Sequence, residues 1–434
     1  MIDFLATVDP ANELVSSRDI RPPRPPREPL WQGLVELNRS RTEATGPDAV
    51  LSPAVVGAYG ISPADTLTRA AGEAVERFAL LPVPGDEDHG RDPVRTGARI
   101  LDPADPGVRL AAPGVRGRRL RVYEGRTLHD DAPLPVPAGL VDYPARRDDA
   151  DGFDPSPSGA ASGATREQAL RSALLEVVER DAFLCAWYLG APLRRLDPDR
   201  PAAGATLALR QFRRALEAAR AIGLSPVLAR VPTRVPGVFC TVGIVVDDRG
   251  DGPPLAAVGA SASDDLGTSA VKALQEALQI RSALRLVQQR WAPGRATRRP
   301  RTDLERARYF ASSEGVRAVE RWVAGFPAPE EPAGCEVPMA SAAPVGVESL
   351  VQALRRQGVT PLAVELTHRL PARIRSMGWH AVKVVPLGMQ ALRMDDTQDF
   401  TLHRARLTAV AERYGLGAGH AAAALTDPEP HPLI

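Results

Sequence analysis

Apolar residues recur at helical spacing over residues 64–80 and again over 165–188, where Thr165 is placed to cap a helix ahead of Glu167 and Gln168 in its first turn. Further helices are predicted over 201–222, 264–287 and 347–357; the first of these is rich in Arg, Glu and Ala and suits the face of a sheet. Apolar runs predict strands at 225–231, 237–247, 256–260, 360–366 and 380–385. Residues 19–29 (DIRPPRPPREP) cannot hold a helix or a central strand, because proline lacks the backbone donor and biases its neighbour to extended geometry. That stretch reads as a linker or a wrapped arm. Residues 82–151 are rich in Pro, Gly and Asp and predict loops and edge strands around the core, with strand-like pieces such as 119–123. The alternation implies an α+β or mixed α/β fold with helices packed on sheets.

Composition narrows the class. The 434 residues, 44% apolar and 25% charged, can bury a large core, and the 54 basic side chains nearly cancel the 53 acidic ones. A net charge of +1 points to neither nucleic acid nor an anionic membrane surface. Two of the basic residues are lysines, Lys272 and Lys383, against 52 arginines, so an arginine by itself says little about phosphate binding. Cys185, Cys240 and Cys335 are single and far apart, as buried apolar residues are, and form neither a disulfide framework nor a zinc motif. The seven histidines show no zinc spacing. Met1-Ile2-Asp3-Phe4 lacks the basic start of a signal peptide, and no apolar run reaches about 18 residues, so a cytoplasmic protein is expected. Asp247-Asp248 before Gly250 reads as a turn, and Trp187 and Tyr188 read as core.

Three of the predicted helices echo one another: AAGEAVER (70–77), ALLEVVER (173–180) and ALQEALQ (273–279). Residues three apart share a helix face, so Glu73 and Glu76, Glu176 and Glu179, and Glu276 and Gln279 each form a pair of oxygen-bearing groups. The positions between them are apolar, which places these pairs on partly buried helices. Like charges out of water repel unless a cation lies between them, and Mg2+ takes oxygen ligands together with substrate phosphates. Arginines one residue on can grip phosphate oxygens. The segment 156–165, of small residues and expected to be flexible, lies directly before a helix, where backbone amides favour anions. Neither a Walker loop nor a dinucleotide fingerprint occurs, so the combination points to a nucleotide site of another kind.

Residues Ser158 to Thr165, followed by Ala169 and by Glu176-x-x-Glu179-Arg180-Asp181-Ala182-Phe183, resemble the small-residue loop and E-x-x-E-R-D-A helix of YcaO-domain proteins. The earlier G-E-x-x-E-R (72–77), the later A-x-x-E-x-x-Q-x-R (273–281) and the block from 365–367 to 382–388 stand in that family's order. The resemblance covers about residues 50–434, leaving 1–49 as an N-terminal extension with a Pro/Arg-rich linker. It implies a YcaO-like mixed fold around an ATP/Mg site and ATP-dependent activation of peptide backbone amides. A nucleophile attacks the amide carbon, ATP phosphorylates the resulting oxygen, and loss of phosphate drives dehydration. By position, Glu73, Glu76, Glu176 and Glu179 would be Mg2+ ligands. Ser158, Gln168, Arg180, Glu276, Gln279 and Arg281 would contact ATP.

Pro428-Glu429-Pro430-His431-Pro432 is a stiff P-x-P-x-P tail. Similar tails organise the site of azoline-forming YcaO cyclodehydratases, so Pro428, Pro430 and Pro432 are expected to do so here. The activity implied is cyclodehydration of Cys, Ser or Thr in a ribosomal precursor peptide. A thioamide- or amidine-forming enzyme is a related reading, and a non-catalytic scaffold is another. The last is motivated by Pro157, Ala164 and Gln168, which stand where the family carries polar, polar and acidic residues. The partners implied are the precursor peptide and a separate leader-binding protein, ubiquitin-activating-enzyme-like or similar; a flavin-dependent azoline dehydrogenase and a homodimer are compatible with the same reading. Lys383, in a chain that almost never uses lysine, is singled out for attention.

Overall fold

The computed structural model describes residues 2–25, 27–38, 53–83, 110–116, 118–199, 206–250, 252–290, 297–328 and 344–434. Strands β1 (Val15–Arg21), β2 (Trp31–Leu37) and β3 (Val55–Gly60) form an antiparallel meander. Helix α1 (Pro63–Leu80) packs on it, with Ala70, Ala74, Val75 and Phe78 sharing a core with Val35, Leu37, Val56 and Ala58. Ser62 caps α1 by accepting from the Asp65 amide, and Pro63 occupies the first turn, where a missing donor costs nothing.

Two of these strands lie in the segment expected as an extension. Asp19, Ile20 and Arg21, expected in a linker, end β1 opposite Leu34, Gly33 and Gln32. The prolines begin only at Pro22, so these three residues keep their amides, and β1 is an edge strand that tolerates a proline next to it. In the 119–123 stretch, only Val122–Tyr123 is strand, pairing with Val136–Pro137.

A second antiparallel sheet has the order β4 (Gly125–Thr127), β10 (Thr360–Glu365), β11 (His380–Leu387), β5 (Ala160–Gly163). It is covered on both faces. Leu362, Val364, Ala381 and Val385 face the α1 core, whereas Ala363, Val382 and Val384 face the core of α2 (Arg166–Tyr188). Two-sided burial explains why β11 reads as an unbroken apolar run rather than an alternation. Lys383 interrupts that run on the α1 side.

The third sheet has the order β9 (Leu255–Ser263), β8 (Phe239–Asp247), β7 (Val227–Val231), β6 (Arg194–Arg195). Leu228 and Val245 pack on α3 (Leu207–Ala221) and α4 (Leu266–Arg290), while Ala229, Val242, Ile244 and Val258 face the core of α2. Helix α2 is therefore enclosed between two sheets, which accounts for its burial on nearly every side. Thr206 caps α3; residues 201–205 of the expected helix lie outside the described residues. Trp187 and Tyr188 are core, with Trp187 edge-on to Phe310 and Trp322. Cys185 and Cys240 are buried free thiols, and Cys335 lies outside the described residues. Among the described residues no helix is long and apolar enough to cross a membrane.

Gly243 and Gly259 face each other across β8 and β9 beneath α4. A Cβ on Gly259 would sit 2.5 Å from both the Ala273 carbonyl oxygen and the Ala277 amide. Gly259→Ala must therefore lift α4 off the sheet, with an expected loss of about 1–3 kcal/mol read from the urea midpoint.

Candidate functional site

Helices α1, α2 and α4 bring Glu73, Glu76, Glu176, Glu179 and Glu276 together around Arg180. The Arg180 guanidinium lies 3.3 Å from Glu179, 3.6 Å from Glu176 and 3.8 Å from Glu276. Arg77 holds Glu73 at 2.8 Å and reaches Glu76 at 4.0 Å. Two carboxylates are also tied to the third sheet: Glu179 accepts the Ala262 amide and Glu276 the Ala260 amide, each at 2.8 Å.

Burial raises the carboxyl of Glu76 well above its ordinary value, and the neighbouring Glu73 and Glu176 add to the effect. Burial likewise raises Glu176 and Glu276, and it pushes Glu179 up to about 8 against the opposing charge of Arg180. These are the signs of negative charge crowded out of water.

The segment 156–165, expected as a flexible loop, contains strand β5 at its centre, paired to β11. Its small residues serve close packing. Gly159 has φ +84°, and a Cβ there would sit 2.3 Å from the Val384 carbonyl; Ser162 donates to the Gly72 carbonyl of α1 at 2.8 Å. The part that stays irregular is gripped by Lys383, whose ammonium donates to the carbonyls of Ser156 (2.7 Å) and Ser158 (2.5 Å). Burial lowers the Lys383 ammonium to about 8, while Glu176 and Glu76 nearby oppose the shift. Its rarity in the chain was the signal that found it.

A cleft of about 620 Å³, counted to its open mouth, is lined by Asp154, Ser156, Ser158, Val177, Arg180 and Lys383 among others. Asp154 carries no sequence signal. It accepts the amides of Met394 and Asp395, and burial raises its carboxyl to about 7.

Gln168 does not join the cluster. It is exposed at the start of α2, where its side chain accepts the Ala164 amide while its own amide is capped by Thr165, so its side-chain oxygen serves the helix start. Arg281 does not join it either. Five residues beyond Glu276 on a helix, it is turned about 140° away. It bonds Asp247 at 2.7 Å and the Arg27 carbonyl at 2.7 Å. Asp247, expected in a turn, is a fully buried hub at the end of β8: despite burial, Arg249, Arg281 and Arg285 hold its carboxyl well below the ordinary range. Gln279 donates to the Gly57 carbonyl of β3 at 3.1 Å, joining α4 to the first sheet.

The C-terminal segment is threaded into the body. Pro430, His431, Pro432 and Leu433 are buried; His431 donates its Nε2–H to the Arg393 carbonyl (2.6 Å), and Arg306 donates to the His431 carbonyl (3.3 Å). Burial keeps the His431 imidazole neutral, and the charges of Arg306, Arg393 and Arg180 add to this, so the tail ends within electrostatic reach of the cluster. Glu429 fastens it through Tyr309 and Arg321.

The donor set fits divalent cations. Five carboxylates face three cations, Arg77, Arg180 and Lys383, and the buried Nε of Arg180 has no hydrogen-bond partner among the described residues. Among those residues no three carboxylates converge on one point; Mg2+ bound through one or two carboxylates, with waters and phosphate oxygens, needs no such convergence. Burial favours the protonated form of Glu179 up to about pH 8, so a cation held by that carboxylate would displace a proton. Mg2+ affinity is expected to rise with pH up to about 8, with proton release that differs between calorimetric buffers of different ionisation enthalpy and shrinks in Glu179→Gln.

A family model described as YcaO cyclodehydratase, ATP- and Mg2+-binding, matches residues 57–390. The fold is similar to a YcaO protein from Methanopyrus kandleri bound with AMPPCP and Mg2+, at 19% identity and TM-score 0.60 over 88% of each chain. It is also similar to a heterocyclase in complex with substrate and cofactor, at 15% identity and TM-score 0.68 over 99% of this chain and 56% of that one. A third match is the E. coli microcin synthetase McbBCD complex with pro-MccB17 bound, at 13% identity and TM-score 0.57 over 86% of this chain and 88% of that chain. No curated protein matches by sequence.

Proposed function

Because the chain belongs to the YcaO family of ATP- and Mg2+-binding cyclodehydratases, we propose that it activates backbone amides of a ribosomal precursor peptide and closes Cys, Ser or Thr onto them as azoline rings. The observation that carries this reading is the gathering of Glu73, Glu76, Glu176, Glu179 and Glu276 around Arg180 beside the cleft. Bound Mg2+ would supply charge neutralisation between these carboxylates and the phosphates of ATP. Glu73, Glu76, Glu176 and Glu179 would hold it, and Glu276 would fix Arg180.

Arg180, which lines the cleft, would take a phosphate oxygen. Lys383 shapes the Ser156–Ser158 wall, and charge there favours the anionic tetrahedral adduct over the neutral amide. The substrate's own side chain is the nucleophile, so the protein need provide none. The buried P-x-P-x-P segment, anchored at Glu429 and His431, supports the azoline subclass over thioamide or amidine formation. The bound peptide of the McbBCD complex motivates a separate leader-binding partner, ubiquitin-activating-enzyme-like or similar.

Incubated with that partner, a precursor peptide, ATP and Mg2+, the protein is expected to lower peptide mass by one water per modified residue with matched phosphate release. An oxygen-to-sulfur mass change would establish thioamidation instead, and no ATP turnover under any pairing would refute both. Glu176→Gln and Glu179→Gln should each reduce turnover by about a hundredfold or more while leaving the unfolding midpoint unchanged or raised, since each replaces a carboxyl group whose ionised form burial and its acidic neighbours disfavour. Replacing Pro430 and Pro432 together by Ala should slow turnover several-fold, with the loss seen in peptide mass and phosphate release alike.

A further inference from the structure

Helix α2 turns Arg180 to the cleft and Asp181 to a different pocket. That pocket, about 440 Å³ counted to its mouth, is walled by Asp181, Cys185, Arg234, Arg406, Arg413 and Tyr414, among others. Three guanidiniums thus surround one carboxylate. Arg406, on helix α8 (Arg404–Ala411, following α5 Asp303–Phe310, α6 Ser313–Ala324 and α7 Val347–Arg355), spends Nε and Nη2 on Asp181 at 3.1 and 2.6 Å. Nη2 also donates to Gln357 at 3.2 Å. Arg234 and Arg413 form no ion pair among the described residues. Partial desolvation and the neighbouring arginines lower the basicity of both.

Arg234 is also held with φ +59°, a backbone state that a non-glycine residue rarely adopts, and Gln357 reaches its carbonyl at 3.4 Å. The turn that carries Arg234 is thereby tied to the same glutamine that contacts Arg406. With +3 from the arginines and −1 from Asp181, the pocket holds an uncompensated charge of +2.

We propose that this pocket is a second anion site, distinct from the carboxylate cleft, that takes a dianionic phosphate-type oxyanion on Arg234, Arg406 and Arg413. The charge of such an anion matches the excess, and tetrahedral oxygens suit guanidinium forks. The site communicates with the cleft over a short path. Asp181 follows Arg180 in sequence and accepts the amide of Gln390 at 2.8 Å, and Gln390 lines the cleft. An anion that draws on Arg406 competes with Asp181 and so bears on the Gln390 backbone.

The test is calorimetric titration of the full-length protein with inorganic phosphate, in EDTA and without nucleotide. One phosphate site is expected. It should be weakened about tenfold or more in Arg234→Gln and in Arg413→Gln, recovered in large part by Arg234→Lys, and unchanged in Arg180→Gln. Unaltered binding in the Arg234→Gln/Arg413→Gln double variant, binding lost only in Arg180→Gln, or no binding by the wild type would each overturn the proposal. Both substituted arginines are exposed, so the variants are expected to fold, and equal unfolding midpoints check this.

Discussion

Glu73, Glu76, Glu176, Glu179 and Glu276 crowd together behind Arg180 and Lys383, which line the cleft; among the described residues Arg77, Arg180 and Lys383 oppose them, and like charges held out of water repel. Such an arrangement persists only if the elements carrying it cannot move apart. Much of the architecture follows from that requirement. Helix α2 is clasped between two sheets, α4 lies directly on Gly243 and Gly259, and α1 is pinned to β5 through Ser162. The repulsion is stored by the packing, and bound cations would relieve it.

Smallness serves this end throughout. Gly159, Gly163 and Gly259 each leave too little room for a Cβ, and what they admit is another backbone. The close approach of β5 and β11 brings the Lys383 ammonium to the carbonyls of Ser156 and Ser158, so one charged side chain links the irregular wall of the cleft to the strand that supports it. A lysine 3% exposed in the middle of an apolar strand is costly unless its donors are used, and two of them are.

Buried ion pairs outside the cleft play a different part. Asp247 with Arg249, Arg281 and Arg285 ties β8 to α4, and Arg369 with Asp142 and Arg306 with Asp396 fix loops around the core. Arg306 also receives the tail at the His431 carbonyl, so the C-terminal segment is held by a charge network already paired elsewhere. In a chain with 52 arginines, this is where many of the buried ones go.

Local pattern was enough to place the three acidic helices, strands β7 to β11 and the pairing of Glu73 with Glu76 and Glu176 with Glu179, because a spacing of three on a 3.6-residue turn sets the shared face before any partner is known. The repeated motif and its resemblance to YcaO proteins identified the family. Spacing already turns Arg281 about 140° from Glu276, but it could not show that Asp247 waits there, nor that Gln279, on the face of Glu276, bonds β3 rather than the cluster. It could not show that the small residues of 160–163 were strand, since their role appears only against Val384 and Gly72. Asp154, the Asp247 hub and the arginine pocket arise from residues far apart in the chain. Their chemistry comes from proximity and burial, which are set by how sheets and helices stack and by no local pattern of residues.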